Sequence, residues 1–408
     1  MPSERPTGPR NDVETADRLN ELARLFLRLG STAFGGPAAH IAMMRGEVVL
    51  RRGWVTEPEF VDMLGAVNLI PGPNSTELAI LIGHRRAGWP GLLVAGACFI
   101  LPSTLLVAAA AWAYVRYGAL PQAAGLLDGM KPAVVAIVAQ ALCGLGRSVL
   151  KTPAMAVAAA AATALSLLGV DVLALLFGCG ALFALWRACA LHRADGTSRV
   201  RGLAALVPAV LGGGVKPGAA ARASAGVATA AGAVALLPLF LVFLKAGAVL
   251  FGSGYVLLAF LRADLVQRFH WLTEAQLLDA IAVGQVTPGP VFSTATFIGY
   301  VLAGAPGAAV ATVGIFLPAF VFVAFSGLLL PRLRCSRVAG AFLDGVNAAS
   351  LGLMAAVTVE LGRSALSGWF PLLIGLVCAA CLFRFRLNAT WLILGGAAAG
   401  LLARLAGL

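Results

Sequence analysis

The sequence predicts an all-α membrane protein built from two homologous repeats. Hydrophobic residues make up 60% of the 408 residues and charged residues only 12%, whereas soluble domains carry about a quarter charged residues. Apolar stretches of roughly 20 residues, the length that spans a bilayer, recur along the chain. A comparison of the chain with itself then shows two related halves. We therefore expect a multi-pass helical protein that is embedded in a lipid bilayer.

The two repeats align without a gap over their most informative part. From Arg45 to Arg262, a shift of 217 residues sets RGEVVLRRGWVTEPEFVDMLGAVNLIPGP (45–73) over RADLVQRFHWLTEAQLLDAIAVGQVTPGP (262–290). Upstream, LRLGSTAFGG lies over LKAGAVLFGS, and downstream IGHRRAGWPG matches IGYVLAGAPG after a one-residue offset. These ordered matches predict a duplicated membrane module. We divide the chain into a polar amino-terminal segment (1–21) that is disordered at its start, a first repeat (22–191), a connector (192–235) and a second repeat (236–408).

Each repeat is expected to cross the membrane several times. We predict a first span near Leu22–Met43 and Leu236–Phe260, then a broken segment near Glu59–Gly83 and Gln276–Tyr300. Four more spans follow in each half, near 91–115, 130–147, 153–170 and 172–190, and near 306–330, 342–363, 369–385 and 389–406. A re-entrant broken segment would give five crossings and inverted repeats, whereas a full crossing would give six crossings and parallel repeats. The positions of the arginines favour inversion, with the basic connector inside.

A Pro-Gly-Pro sequence interrupts an apolar helix at the same place in each repeat. Proline removes a backbone donor and stops a helix, and glycine adds conformational freedom. Secondary transporters with duplicated halves carry their binding sites near the membrane midplane, at discontinuous helices in matching positions. We therefore expect the breaks to mark a transport site. The helix-break residues are Gly35, Gly36, Pro71, Gly72 and Pro73 in the first repeat and Gly252, Gly254, Pro288, Gly289 and Pro290 in the second.

The residues after each break have the chemistry of an anion site. A helix that restarts at Asn74 or Ser75 presents free backbone N–H groups and the positive end of its dipole, which bind anions. Further side-chain donors are Thr76 in the first repeat and Ser293, Thr294 and Thr296 in the second. Two such helix ends facing each other would suit a compact oxyanion. In the alternative interpretation, the hydroxyls only satisfy carbonyl groups that the proline kink has freed.

Charged residues within the apolar stretches are the second indication of a site, because charges at membrane depth are costly. Arg28 and Lys245 occupy equivalent positions and could together neutralise a dianion, or could reach to the interface. Glu77, Asp62 and Asp279 are candidates for carrying a coupling proton. We expect Glu47 with Asp264, and Glu57 with Glu274, to cap helices or form pairs. WVTEPE and WLTEAQ resemble helix starts with threonine as the N-cap.

Several function classes are excluded. The net charge of +12 does not indicate nucleic-acid binding, because the arginines lie singly or in pairs between apolar stretches. There is no zinc signature, nucleotide-binding loop or nucleophile elbow. We therefore expect no enzyme activity, no cofactor and no metal.

With these motifs, the chain resembles the chromate ion transporter (CHR) family in its long, two-domain form. The resemblance rests on FGGPAAHIAMMRGEVV, LIPGPNSTELAILIGHRRAGWPG, CFILPS, FGSGY, GQVTPGPVFSTATFIGY and GIFLPAF. It implies antiparallel halves and a protein of the bacterial inner membrane that exports chromate against a proton gradient, as an antiporter, and so gives chromate resistance. It also implies functional roles for Gly35, Gly36, Pro37, His40, the two Pro-Gly-Pro sequences, Gln285, Thr296 and Gly299. A carrier or importer of sulfate or another oxyanion and a passive anion channel remain alternatives, and a homodimer stays open.

Overall fold

Each repeat folds into the same series of seven helices. The computed structural model describes residues 9–34, 36–118, 120–195, 234–250, 256–334, 336–385 and 387–406. The helices of the first repeat are α1 (Pro9–Thr32), α2 (Gly36–Arg45), α3 (Glu57–Val67), α4 (Asn74–Tyr117), α5 (Pro121–Val149), α6 (Pro153–Leu167) and α7 (Val172–Asp195). Those of the second are α8 (Leu236–Val249), α9 (Leu257–Leu261), α10 (Glu274–Val286), α11 (Thr294–Arg334), α12 (Arg337–Ala365), α13 (Trp369–Ala380) and α14 (Ala389–Leu405). Three π-helical segments continue α2, α9 and α13, at Gly46–Arg51, Arg262–Arg268 and Cys381–Phe385, and a 3₁₀ turn, Val291–Ser293, precedes α11.

The predicted all-α membrane architecture is confirmed. The described residues contain no β-strand. Five helical segments are long and apolar enough to cross a membrane: Asn74–Tyr117, Ala123–Val149, Val172–Leu191, Val291–Ser326 and Arg337–Ala365. The first helix begins at Pro9, inside the polar amino-terminal segment. Residues 1–8 of that segment and 196–233 of the connector lie outside the described residues.

The helices α3 and α10 begin at threonine N-caps, as predicted. The Thr56 hydroxyl accepts the backbone N–H of Glu59, while the Glu59 carboxylate accepts the backbone N–H of Thr56 at 2.9 Å. Thr273 and Gln276 form the same reciprocal pair in the second repeat. The Thr56 backbone and hydroxyl, together with Arg85, hold the pKa of Glu59 below its usual range. The exposed start of α3 therefore stays ionised near neutral pH.

The segment that contains the first Pro-Gly-Pro is a re-entrant hairpin. Helix α3 enters, and the first part of α4, residues 74–86, returns. Arg85 donates to Glu59 at 2.9 Å, and the Arg86 guanidinium lies over the Trp54 ring at 4.9 Å. Both arms therefore end at one place, which we call mouth 1 (Trp54, Glu59, Arg85 and Arg86). Each arm is at most about 20 Å long, too short to cross a hydrocarbon core of about 30 Å, so the re-entrant alternative is the one observed.

The preceding segment is also a hairpin, and the single span expected near Leu22–Met43 is wrong. Glu21 on α1 accepts a hydrogen bond from Arg86 at 3.1 Å, so α1 passes mouth 1. It ends at Thr32, about 17 Å further on, and α2 with its π-helical continuation leads back to Trp54 at the same mouth. The chain reverses at FGGP (34–37), where Gly36 adopts a φ of 77°. Length and hydrophobicity alone could not distinguish this reversal from a continuous span.

Each Pro-Gly-Pro hairpin leads into a long helix through a sharp turn. Ala87 and Gly88 leave the helical conformation within α4, and Ala303 and Gly304 do the same within α11. The two glycines have φ values of 61° and 63°, which a residue with a side chain adopts only at a cost. Their separation shows the one-residue offset seen in the sequence. Both α4 and α11 thus consist of a half-helix and a long helix.

The two Pro-Gly-Pro hairpins point in opposite directions. From mouth 1, the long helix of α4 reaches Ser103 after about 21 Å and Tyr114 after about 38 Å. Ser103 donates to Ser293 beside the second Pro-Gly-Pro at 2.8 Å, and Tyr114 donates to Asp279 near the start of α10 at 3.0 Å. Moving away from mouth 1, the helix therefore meets the tip of the second hairpin before its base. This order makes the hairpins antiparallel, as inverted repeats require.

The remaining helices exchange partners between the repeats. Helix α5 packs against α13 and α14, and its equivalent α12 packs against α6 and α7. The backbones approach so closely that a methyl group on Gly129 would collide with the carbonyl oxygen of Gly396, and one on Gly345 with that of Cys179. Small residues are what allow membrane helices to pack at this distance. The exchange forms a scaffold around the hairpins, to which both repeats contribute.

Candidate functional site

The tips of the hairpins meet at the interface between the repeats. The Gly72 N–H donates to the carbonyl of Leu250, at the end of α8, at 2.7 Å. The Gly289 N–H donates to the carbonyl of Ala33, at the end of α1, at 2.9 Å. These four residues occupy equivalent positions, so each Pro-Gly-Pro binds the first hairpin of the other repeat. The two predicted breaks are thus brought into one central region.

His40 connects the two breaks in the first repeat. Its ring is buried and lies edge-on to Phe99, with ring centroids 5.7 Å apart. Nε2 lies 3.1 Å from the Ala33 carbonyl, which also accepts from Gly289, and Nδ1 lies 3.4 Å from the Ser75 hydroxyl. Because a carbonyl only accepts, Nε2 carries the proton and Nδ1 of the neutral ring accepts from Ser75. His40 therefore joins the helix restart after the first break to the tip of the second.

The first turn after the first break leaves polar groups without partners. The N–H groups of Thr76 and Glu77 donate to the Pro73 carbonyl, whereas those of Asn74 and Ser75 occupy helix positions that have no intrahelical acceptor. The Asn74 side chain donates to Asn68 at 2.7 Å. The Thr76 hydroxyl and the Glu77 carboxyl are fully buried and have no hydrogen-bond partner in the protein. This turn therefore offers donors to a ligand.

The hydroxyls after the second break already have partners within the protein. Ser293 accepts from Ser103, Thr294 donates to the carbonyl of Val291 at 2.8 Å, and Thr296 shares a bond of 2.7 Å with Thr312. Before this break, the side-chain nitrogen of the buried Gln285 has no partner. The two breaks are therefore similar in backbone but different in chemistry.

The two cations within the apolar stretches each have an acidic partner from the adjacent arm. Arg28 lies 2.7 Å from Glu47, and Lys245 pairs with Asp264. These pairs occupy equivalent positions, and they hold the arms of the first hairpin of each repeat together. They confirm the expected pairing of Glu47 and Asp264. As the structure stands, neither Arg28 nor Lys245 presents an uncompensated charge to a dianion.

A cavity of about 390 Å³ opens between the arms of the first hairpin. It is lined by Arg28, Thr32, Glu47, Arg51 and neighbouring apolar side chains. Glu47 also lies 3.6 Å from Arg52 and 2.9 Å from Arg51, so a single carboxylate faces three guanidinium groups. This surrounding gives the cavity a net positive charge. It can attract an anion near mouth 1, which itself carries Arg85 and Arg86.

The three candidate proton carriers lie in different environments. Glu77 is fully buried at the first break. Asp279 is buried on α10, where Tyr114 donates to it and the Lys131 ammonium lies 3.6 Å away. Asp62 is exposed on α3. The equivalent positions 62 and 279 therefore do not share a role, and Glu77 alone of the three lies at a break.

Other predicted positions add little to this geometry. Gly36 and Pro37 begin α2, Pro71 and Pro288 open the tips, and Pro73 and Pro290 close them. Gly299 packs so tightly that a methyl group there would meet the carbonyl of Gly307. Gly35, Gly252 and Gly254 lie outside the described residues. Among the described residues, no group of three His, Cys, Asp or Glu side chains could hold a metal ion.

Sequence reasoning missed four residues of the site: Ala33, Ser103, Tyr114 and Lys131. Ala33 acts through its carbonyl, which no side-chain pattern reveals. Ser103 could have been noticed, because it follows Leu101–Pro102, one of the matched pairs of the repeat.

Comparison with known proteins agrees with this architecture. The family model described as chromate transporter matches twice, over residues 20–184 and 237–401. The chain belongs to the chromate transporter family. No solved structure matches it. The two matched regions coincide with the two series of seven helices, so this chromate transporter family member is a multi-pass membrane protein with two family repeats.

Three relatives extend over nearly the whole chain. The chromate transport protein of Cupriavidus metallidurans is 32% identical over 388 residues, which cover 94% of this chain and 93% of the relative. The chromate transport protein of Pseudomonas aeruginosa is 34% identical, covering 93% and 91%. The probable chromate transport protein of Synechococcus elongatus is 33% identical, covering 90% of each. Membership in this family identifies the chain as a transport protein.

Proposed function

We propose that this protein exports chromate across the bacterial inner membrane, driven by the proton-motive force, and so gives chromate resistance. The observation that carries the proposal is the first turn of α4, which restarts between the repeats with backbone N–H groups and a Thr76 hydroxyl that lack protein acceptors. Chromate is a tetrahedral dianion, and a helix N-terminus with added hydroxyl donors suits such an ion. The names of three full-length relatives support chromate as the ion.

The basic mouth supports an outward direction of transport. Arg51, Arg52, Arg85 and Arg86 gather at mouth 1, and positive charge marks the cytoplasmic side of membrane proteins. The cavity beside Arg28 then opens toward the cytoplasm. An anion is concentrated there by the surrounding guanidinium groups before it moves toward the break.

The test is chromate accumulation in inverted membrane vesicles energised by a respiratory substrate. We expect accumulation that an uncoupler abolishes and that vesicles without the protein do not show. Excess sulfate in a parallel sample measures selectivity, since sulfate has the same charge and geometry. No accumulation in vesicles that contain the folded protein would refute export. Accumulation that persists with the uncoupler under a chromate gradient alone would indicate a passive channel.

A further inference from the structure

Glu77 is the buried titratable group that the proposed anion site leaves unexplained. It lies in the first turn of the half-helix that follows the first Pro-Gly-Pro. Its carboxyl folds back over the break, so that a methyl group on Gly72 would collide with Oε1. The side chain is fully buried and neither oxygen has a hydrogen-bond partner in the protein. The carboxyl therefore adjoins the donors that Thr76 and the helix end offer to an anion.

No cation compensates Glu77. The titratable groups on the packed elements are His40 on α2, Arg28 on α1, Glu59 and Asp62 on α3, and Asp279 and Tyr300 of the second repeat. His40 binds Ser75 and Ala33, Arg28 pairs with Glu47, Glu59 with Arg85, and Asp279 with Tyr114. Asp62 is exposed, and none of these groups bonds to Glu77.

An ionised carboxylate in this position would be strongly disfavoured. Removing it from water without a compensating partner carries a large desolvation cost. A dianion bound at the adjacent helix end would add repulsion between like charges. In its neutral form, by contrast, the same carboxyl has an O–H group that can donate to an oxyanion. The anion and the ionised form of Glu77 therefore exclude each other.

Resting on the proposed anion site, we propose that the anion and one proton bind together at the first break, with the proton on Glu77. The proton enters from the side that supplies the anion and leaves with it. One transported dianion then carries one net negative charge. This is cotransport, whereas the family resemblance led us to expect antiport.

The stoichiometry has consequences that can be measured. A potential of 100 mV supports an accumulation of roughly 50-fold for one net charge and roughly 2,500-fold for two. Each unit of pH difference changes the accumulation tenfold when one proton moves with the anion. An interior-negative potential therefore drives export, while an alkaline cytoplasm opposes it.

The experiment uses the purified full-length chain in proteoliposomes, with the potential clamped by potassium and valinomycin, at pH values where chromate is the dianion. We expect wild-type accumulation to rise tenfold when the lumen is one pH unit more alkaline than the outside. Glu77→Gln keeps a neutral donor, so it should still transport chromate, without dependence on the pH gradient and with about 50-fold higher accumulation at 100 mV lumen-positive. Asp344→Asn, which removes an exposed carboxyl on α12, is the matched control and should behave as wild type.

The outcomes separate the two proposals. A wild-type protein that transports chromate without dependence on the pH gradient, or with a slope of opposite sign, refutes cotransport and leaves chromate transport standing. Retained pH-gradient dependence in Glu77→Gln refutes the assignment to Glu77. If that variant fails to fold, the wild-type slope still tests the stoichiometry, and Glu77→Asp, which keeps a carboxyl, should retain the slope. A wild-type protein that does not move chromate at all refutes the proposed function itself.

Discussion

The pair formed by Lys245 and Asp264 provides a direct test of whether a cation within the membrane binds substrate or holds the fold together. The side chain of Asp264 is only 8% exposed, whereas that of Lys245 is 30% exposed. Lys245→Gln leaves a buried carboxylate without its cation. Loss of one partner from a buried pair destabilises by about 3–5 kcal/mol, and we expect about 3 kcal/mol here because the pair is partly solvated.

The reverse change and the double change should cost less. In Asp264→Asn the long lysine side chain can reach water, so we expect a loss of about 1–2 kcal/mol. In the double variant Lys245→Gln/Asp264→Asn no charge remains buried, and stability should return to within about 1 kcal/mol of wild type. The free energy of unfolding in detergent, measured for all three variants, gives these values.

Transport by the double variant then decides the role of Lys245. We expect its chromate uptake to recover to within a few-fold of wild type, because the structure gives the lysine an acidic partner on the adjacent arm. A double variant that is as stable as wild type but inactive would refute this reasoning. It would assign the ammonium to the anion, as the sequence first suggested.

Three further substitutions test the geometry of the breaks. Thr76→Val removes an unpartnered donor and should raise the Michaelis constant for chromate about tenfold or more, whereas Thr296→Val, which removes a hydroxyl that is already bonded, should not; equal effects would contradict the placement of the anion. His40→Leu removes the connection between the two breaks and should lower the free energy of unfolding by about 1–2 kcal/mol and slow uptake, and unchanged values would show that the connection is incidental. Gly83→Ala forces apart the half-helix and the long helix of α4, where the backbones touch, and should lower the melting temperature, whereas Gly144→Ala, in an open helical position, should leave it unchanged or higher.

The sequence predicted those features that depend on local chemistry or on the repeat. Threonine N-caps at Thr56 and Thr273 follow from side chains three residues apart. The Pro-Gly-Pro breaks follow from the backbone properties of proline and glycine, and their pairing follows from the alignment of the halves. Such signals are short in range or duplicated, so a single chain reveals them.

The parts that sequence reasoning missed depend on long-range geometry. Residues 22–43 form an apolar run of spanning length, and only packing shows that the chain reverses near Gly36. The partners of Arg28 and Lys245 lie 19 residues further on, a spacing that has no meaning for a helix or a strand. One signal was available, because Glu47 and Asp264 keep an acid at equivalent positions of the repeat, opposite a conserved sign of charge at Arg28 and Lys245.

The difference between the two breaks has a mechanistic consequence. Inverted repeats give a transporter two conformations of similar energy by exchanging the roles of the halves, and here the backbone contacts of Gly72 and Gly289 are equivalent. The side chains are not equivalent, since Thr76 and Glu77 lack partners where Ser293 and Thr294 have them. An anion that needs donors therefore gains more at the first break than at the second. A single site on the pseudo-symmetric axis region, alternately exposed by the exchange of hairpin contacts, accounts for both the symmetry of the backbone and the asymmetry of the chemistry.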